Sequence, residues 1–417
     1  MKVLVVNAGS SSLKYQLMDT ETKDVLGKGI CERIGMEGST ITHKVADKKI
    51  EKEIPMPDHS VATEIVVSFL TDKENGCISS MDEIEAIGHR VVHGGSYFFD
   101  SCLITDEVLN IIDKCSEFAP LHNPAHIMGI KGCTKVMPNV PQVAVFDTAF
   151  HQTMPAEAYT YALPMKMIEE DGIRRYGAHG TSHKFVSREM NKILGTENTK
   201  IVTCHIGNGS SISAVKNGKC IDTSMGFTPL AGVEMGTRCG SIDPAIVPYI
   251  MKKHNISVDE ISDFMNKKCG FLGVSEYSSD SRDIEAAILG KFNDELKTCP
   301  KTEEEKARVT KNSKLAAEVL AYQVKQYIGS YAAAMNGLDA IVFTAGMGEN
   351  NPELRERACS NMEFLGIKLD VEINAKTLRQ PNTVEISTPD SKVKVYVLPT
   401  NEELMIAMDT ETVVTNK

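Results

Sequence analysis

Two stretches about half a chain apart decide the fold: Val3 to Leu17, V-L-V-V-N-A-G-S-S-S-L-K-Y-Q-L, and Ile201 to Val215, I-V-T-C-H-I-G-N-G-S-S-I-S-A-V. Each begins with a run of β-branched and apolar residues, breaks at a Gly/Ser turn, and resumes as a second strand. Gly9-Ser10-Ser11 and Gly209-Ser210-Ser211 fall at the same point of each hairpin. A hairpin repeated at this separation predicts two related halves, not a short-repeat solenoid.

Other junctions extend the pattern. Ala340 to Ala345 reads as a buried strand running into Gly346-Met347-Gly348-Glu349-Asn350-Asn351-Pro352, where Pro352-Glu353 suit the first turn of a helix. Val143 to Phe146 reads as another buried strand ending at Asp147. Helical periodicity is clearest over 60–71, 182–194, 245–253 and 313–335, with Thr181-Ser182 as an N-cap. Segment 291–312 is charged and poor in large apolar residues, and predicts a surface insertion.

A chain of 417 residues exceeds one ordinary domain, and a hydrophobic share of 42% suffices for two cores. The net charge of -11, without a long basic tract, argues against nucleic acid as a partner. No apolar run approaches the 18–20 residues that would cross a membrane, and the N-terminal run is too short for a signal peptide. The 11 cysteines contain no C-x-x-C pair, which fits reduced thiols in the cytoplasm better than structural zinc or disulfides.

Several residues suggest anion chemistry. Gly lets a backbone come close to a phosphate, and Ser adds hydroxyl donors to exposed N–H groups, so the two Gly-Ser-Ser turns and Gly346-x-Gly348 are candidate phosphate cradles; the bland alternative is ordinary turns. Neither the G-x-x-x-x-G-K-[ST] loop nor a full dinucleotide fingerprint is present. Arg90, in G-H-R-V-V-H-G-G, and Arg238, in G-T-R-C-G, lie among small residues that leave room for a ligand beside a guanidinium fork. The pairs His122/His126 and His179/His183 have i, i+4 spacing but lack the Glu of H-E-x-x-H, favouring hydrogen bonding over metal ligation. Asp147 and Glu402 are candidate Mg²⁺ ligands, or simply a turn residue and a favourable first-turn charge.

Taken in order, N-A-G-S-S-S-L-K, G-H-R-V-V-H-G-G, L-H-N-P, F-D-T-A-F-H, Y-G-x-H-G-T-S-H, H-x-G-N-G-S-S, M-G-x-T-P-L-x-G, G-T-R-C-G-S-I-D-P and P-T-N-E-E resemble the acetate kinase family, from Val3 to about Met408. The resemblance implies an α/β fold of duplicated ribonuclease-H-like domains, as in actin-like ATPases, closing over an interdomain cleft, and a homodimer. It implies ATP and ADP as co-substrates, acetate or another short carboxylate as acceptor, and Mg²⁺, with Mn²⁺ as the alternative ion. Matched by motif, Asn7 and Glu402 would serve the metal, and Arg90, Asp147, His179 and Arg238 catalysis. Lys14, His205, Ile206, Gly207, Asn208, Gly209, Asp280, Ser281, Arg282, Gly346, Met347, Gly348, Glu349 and Asn350 would contact ATP. Ser10 and Ser12 would lie near the phosphates, with His122 and Asn208 along their path. Val92, Leu121, Ala178 and Pro229 would wall the substrate methyl.

Two departures stand out. The family usually has Phe at the Ala178 position, so the acyl pocket is expected to be larger and to take propionate or butyrate better. Ser281 stands where an aromatic residue is usual. The expected domains are 1–150 plus 385–417, and 151–384. Two rival classes are a chaperone- or filament-type ATPase on the same fold and an NAD-binding oxidoreductase, the latter suggested only by Gly346-x-Gly348.

Overall fold

The computed structural model describes residues 1–416 and divides into two units. Unit 1 comprises Met1–Gln152, Gly180–Ser182 and a C-terminal segment from Asn401 onward; unit 2 comprises Thr153–His179 and His183–Thr400.

Unit 1 is built on eight strands: β1 (Lys2–Gly9), β2 (Ser12–Asp19), β3 (Val25–Glu32), β4 (Thr40–Val45), β5 (Lys48–Glu53), β6 (Ala86–Val91), β7 (Cys102–Leu103) and β8 (Gln142–Phe146), in the order β5-β4-β3-β2-β1-β6-β8-β7. Unit 2 has six: β9 (Lys200–Ile206), β10 (Ser210–Lys216), β11 (Lys219–Thr223), β12 (Ala340–Thr344), β13 (Val384–Glu385) and β14 (Lys394–Val397), in the order β11-β10-β9-β12-β14-β13. The shared centre is plain. An antiparallel meander, β3-β2-β1 or β11-β10-β9, continues into parallel neighbours, β6-β8 or β12-β14. The two Gly/Ser turns join the first two strands of each meander, so the sequence repeat is a structural duplication.

Burial follows position in the sheet. Central β12 is buried at all five positions, whereas outer β3 and β4 alternate; helices cover both faces of parallel strands and only one face of the outer antiparallel ones. Leu4, Val6, Leu13 and Leu17 pack against Ala62, Val66 and Leu70 of the helix His59–Leu70. In unit 2, Val202, Cys204, Ile341 and Phe343 pack against Leu320, Val324 and Ile328 of a helix spanning Glu303–Met335.

That helix corrects one expectation. Its 33 residues begin inside the presumed insertion, because Thr302 and Glu305 form a capping box. The T-x-x-E signature was legible, but the apolar stripe begins only near Val309 and the acidic first turns read as loop. The helix expected from 182 starts at Gly180, with His179 in the N-cap position instead of Thr181 or Ser182. The strand Lys394–Val397, expected in the first domain, pairs with β12 in unit 2; only the helix Glu402–Thr415 joins unit 1.

That last helix docks on β6 through a missing side chain. A Cβ at Gly88 would come 2.3 Å from Thr410 Oγ1 and 2.8 Å from Ile406 Cγ2. The close approach sets Glu402, at the head of the helix, relative to the end of β6. Gly88→Ala is expected to cost about 1–3 kcal/mol through overpacking, read as a lower denaturant midpoint; an unchanged midpoint would show that the helix does not need this contact.

Candidate functional site

In unit 1, β6 and β8 run parallel and deliver Arg90 and Asp147 to neighbouring strand ends. Arg90 Nε lies 3.2 and 3.1 Å from the two Asp147 carboxylate oxygens, and Nη2 lies 2.7 Å from Oδ2. Asp147 is buried and also accepts from Thr181 Oγ1 at 3.4 Å. Its carboxylate raises the Arg90 pKa further above its ordinary value, which fixes the guanidinium charge and orientation. With both oxygens engaged, Asp147 orients the arginine.

Glu402 lies in the field of the same pair. Burial pushes its carboxyl up to about 7, partly offset by Arg90 and reinforced by Asp147 and Glu403. Asn7 is half-buried near the end of β1, Lys14 and Ser10 are exposed, and Ser12 is half-buried. His122 and Leu121 are exposed, Val92 is half-buried, and His126 is buried.

Unit 2 assembles a different group. His179 holds a left-handed backbone, φ 59°, ahead of the helix Gly180–Leu194. Its ring stacks on His205, with centroids 4.1 Å apart. A hydrogen-bond relay runs from its Nδ1. Thr203 donates to Ser213 O (3.4 Å), so it accepts from His183 Nδ1 (2.7 Å). The bare His183 Nε2 then accepts from the Ser211 hydroxyl (2.7 Å), whose oxygen accepts from His179 Nδ1 (2.9 Å).

Gly209 marks where this ring meets Arg238. A Cβ at Gly209 would stand 3.6 Å from both Arg238 Nη1 and His179 Nε2. Arg238 is half-buried and touches Pro229 O at 3.4 Å and Met235 Sδ at 4.0 Å. Among the described residues no carboxylate lies within ion-pair distance of it. Its loop is pinned against the helix Gly270–Ser275: Cys269, Phe271 and Leu272 N–H groups donate to Thr237, Met235 and Gly236 carbonyls at 2.9–3.0 Å. Crossings this tight need glycine. A Cβ at Gly270 would fall 2.0 Å from Met235 O, and one at Gly236 would fall 1.8 Å from Asn208 Oδ1.

Beside this group lies a cavity of about 650 Å³, a volume suited to a nucleotide. The structure brings Gly207, Asn208, Asp280, Ser281, Arg282, Gly346, Met347 and Asn350 to its wall. His205, Ile206, Gly209, Gly348 and Glu349 do not line it. Gly348 O accepts from buried Arg355, and Glu349 accepts from the Ala345 N–H at 2.8 Å, so these two support the turn. Asp280 caps the helix Ser281–Ile288 and pairs with Arg282 (Nε to Oδ1, 3.0 Å). Ser279, Glu285, Asn351, Glu353 and Arg379 also line the cavity and were missed. Ser279 adjoins a recognised motif, but Arg379 comes from a distant loop with no local signal. Gly346-x-Gly348 lies in a six-residue helix, Ala345–Asn350, at the end of β12.

Ala178 is buried against Met225 and Met235, and Pro229 is half-buried. Among the described residues no cluster of three or more His, Cys, Asp or Glu could hold a metal unaided.

Two meanders continued by parallel strands, with a nucleotide-sized cavity and an unneutralised arginine in unit 2, define the phosphotransferase class of the actin-like ATPase fold. The chain belongs to the acetokinase family, whose profile it matches over residues 2–408. It is 55% identical to an acetate kinase of Thermotoga maritima and 53% identical to one of Methanosarcina acetivorans; each match covers 99% of this chain, and 99% and 96% of the relatives. The solved acetate kinase of Porphyromonas gingivalis superposes with a TM-score of 0.91 at 46% identity, and a propionate kinase of Francisella tularensis with 0.86 at 40%; both matches cover 99% of either chain.

One group in the Arg238 loop carries a pH signature. Glu234 is buried with neither carboxylate oxygen hydrogen-bonded, and burial pushes its pKa from 4.5 up to about 8. The folded-state value lies above the unfolded one. The contribution to stability is therefore whole below pH about 4.5 and is lost as pH rises through about 8. Glu234→Gln is expected to lose less melting temperature than the parent between pH about 6 and 9. Parallel Tm–pH curves would disprove the assignment.

Proposed function

We propose that the chain reversibly transfers the γ-phosphoryl group of ATP to acetate, giving acetyl phosphate and ADP by direct in-line displacement. The observation that carries the reading is Arg238, a half-buried cation beside His179 without an acidic partner. Such a group suits an anion that arrives with the substrate.

Acetate has a pKa of about 4–5 and is already a nucleophile at neutral pH, so the reaction needs no general base. What it needs is neutralisation of two anions and of charge spreading over the transferring group. Arg90, held by Asp147, binds the acid's carboxylate. Arg238 and His179, in its imidazolium form, bind phosphoryl oxygens. The cavity of unit 2 takes the nucleotide, with Asn208 beside the phosphates.

Asn7 and Glu402 fit a hard divalent cation. Both offer oxygen donors, and a carboxyl driven to about 7 by burial would return to its ionised form beside Mg²⁺ or Mn²⁺. Mg²⁺ commonly takes one or two protein ligands and fills its shell with phosphate and water, which suits a site of two residues. When bound, the ion neutralises charge on the β- and γ-phosphates. The enzyme works as a homodimer in the cytoplasm; eleven cysteines without a C-x-x-C pair support a reducing compartment.

Trapping acyl phosphate with hydroxylamine separates this reading from a filament- or chaperone-type ATPase, which would release phosphate without any acid. Arg238→Ala is expected to lower kcat by about 10²–10³; a change of only a few-fold would remove Arg238 from the chemistry.

Acyl range is the second test. Ala178 replaces a ring by a methyl, and its neighbours Met225 and Met235 are adaptable side chains. Propionate is expected to reach a kcat/KM within about tenfold of acetate, and Ala178→Phe to widen the gap, a methylene being worth about 1–3 kcal/mol in such a pocket. A strong acetate preference in the parent would refute the role given to Ala178.

A further inference from the structure

Unit 1 carries a cavity of about 250 Å³ on the face of its sheet opposite the apolar core. Strand register builds its floor in two rows. In one, Val5 stands opposite Gln16, Gln16 opposite Lys28, and Lys28 opposite Lys44; in the other, Asn7 stands opposite Lys14, Lys14 opposite Ile30, and Ile30 opposite Thr42. Side chains directly opposite on adjacent strands share a face, so three lysines from three strands point into one groove.

Their charge is not balanced. Among the described residues, none of Lys14, Lys28 and Lys44 has a carboxylate within ion-pair distance, and the one acidic residue lining the groove is Glu403. Lys28 and Lys44 are a direct cross-strand pair of like charge, an arrangement that destabilises a sheet. The next residue across, Lys49, has its own partner in Glu51 at 3.0 Å and lends no negative charge. This patch lies on a chain whose net charge is -11, so it is not a by-product of a basic composition. Gln16 and Thr42 add neutral hydrogen-bonding groups to the floor.

We infer that the groove is a binding site for a small polyanion of two or three charges, a polyphosphate or a polycarboxylate, held by Lys28 and Lys44 with Lys14 at its inner end. The cavity is too small for a whole nucleotide and its walls carry no aromatic ring except Tyr15, which is buried. The inference goes beyond the reading of the reaction, in which Gln16, Lys28, Thr42 and Lys44 have no part.

The test uses the full chain with a non-hydrolysable ATP analogue and Mg²⁺ present, so that the cavity of unit 2 is occupied. Lysine acetylation, read by peptide mass spectrometry, is compared with and without inorganic tripolyphosphate in one arm and tricarballylate in the other. Selective protection of Lys28 and Lys44 in either arm supports the site, and the arm that protects identifies the ligand chemistry. Binding followed by calorimetry is expected to weaken at least about tenfold in Lys28→Gln/Lys44→Gln and to fall steeply with salt, while kcat with ATP and acetate stays within about twofold. Equal labelling of both lysines in both arms, or unchanged affinity in the double variant, overturns the inference.

Discussion

Removing a guanidinium from water is costly unless something negative replaces the hydration it loses. Arg238 has lost part of that hydration and has gained a carbonyl at 3.4 Å and a thioether. Much of unit 2 can be understood as the apparatus that keeps it there. Backbone donors from the start of a short helix grip both sides of its loop, and glycines stand where any side chain would collide with the opposing backbone. On the proposed reading, the resulting deficit would be relieved when an oxyanion arrives.

Arg90 is the opposite case. Its charge is answered by Asp147 before any ligand appears, and the bidentate geometry sets the plane of the fork. An arginine so held offers direction more than net charge. His179 is directed in a third way, through a relay of hydroxyls ending at a backbone carbonyl. Each of the three groups is held by partners within the chain, which on the proposed reading would limit the reorganisation left to occur during reaction.

How much of this could be read from the chain depended on whether the signal was local. The duplicated hairpin was legible because strand, Gly/Ser turn and strand are adjacent in sequence, and the same holds for Arg90 at the end of β6 and Asp147 just after β8. The engagement of Asp147 with Arg90 is a contact between neighbouring strand ends that no local motif announces. What escaped was long-range or masked. The start of the helix Glu303–Met335 was hidden because its first turns face solvent and carry charge in place of an apolar stripe. The strand Lys394–Val397 was given to the wrong half because its partner, β12, lies about fifty residues earlier and nothing nearby announces it. Arg379 reaches the nucleotide-sized cavity from a loop without a motif. Glycines read as generic flexibility in the sequence prove to be specific clearances, as at Gly88, Gly236 and Gly270.

The discontinuity of unit 1 has a consequence for biosynthesis. Its sheet is encoded in the first third of the gene, yet the helix Glu402–Thr415, which covers β6 and bears Glu402, leaves the ribosome after all of unit 2. Domains generally fold as they emerge, so unit 2 can close on itself while its elder neighbour still waits with an uncovered strand. The nascent N-terminal half must remain in that unfinished state for the time needed to translate some 250 further residues. A carboxylate joins Arg90 and Asp147 only after all of unit 2 has been made, which makes synthesis of unit 2 a checkpoint on assembly of the charged cluster.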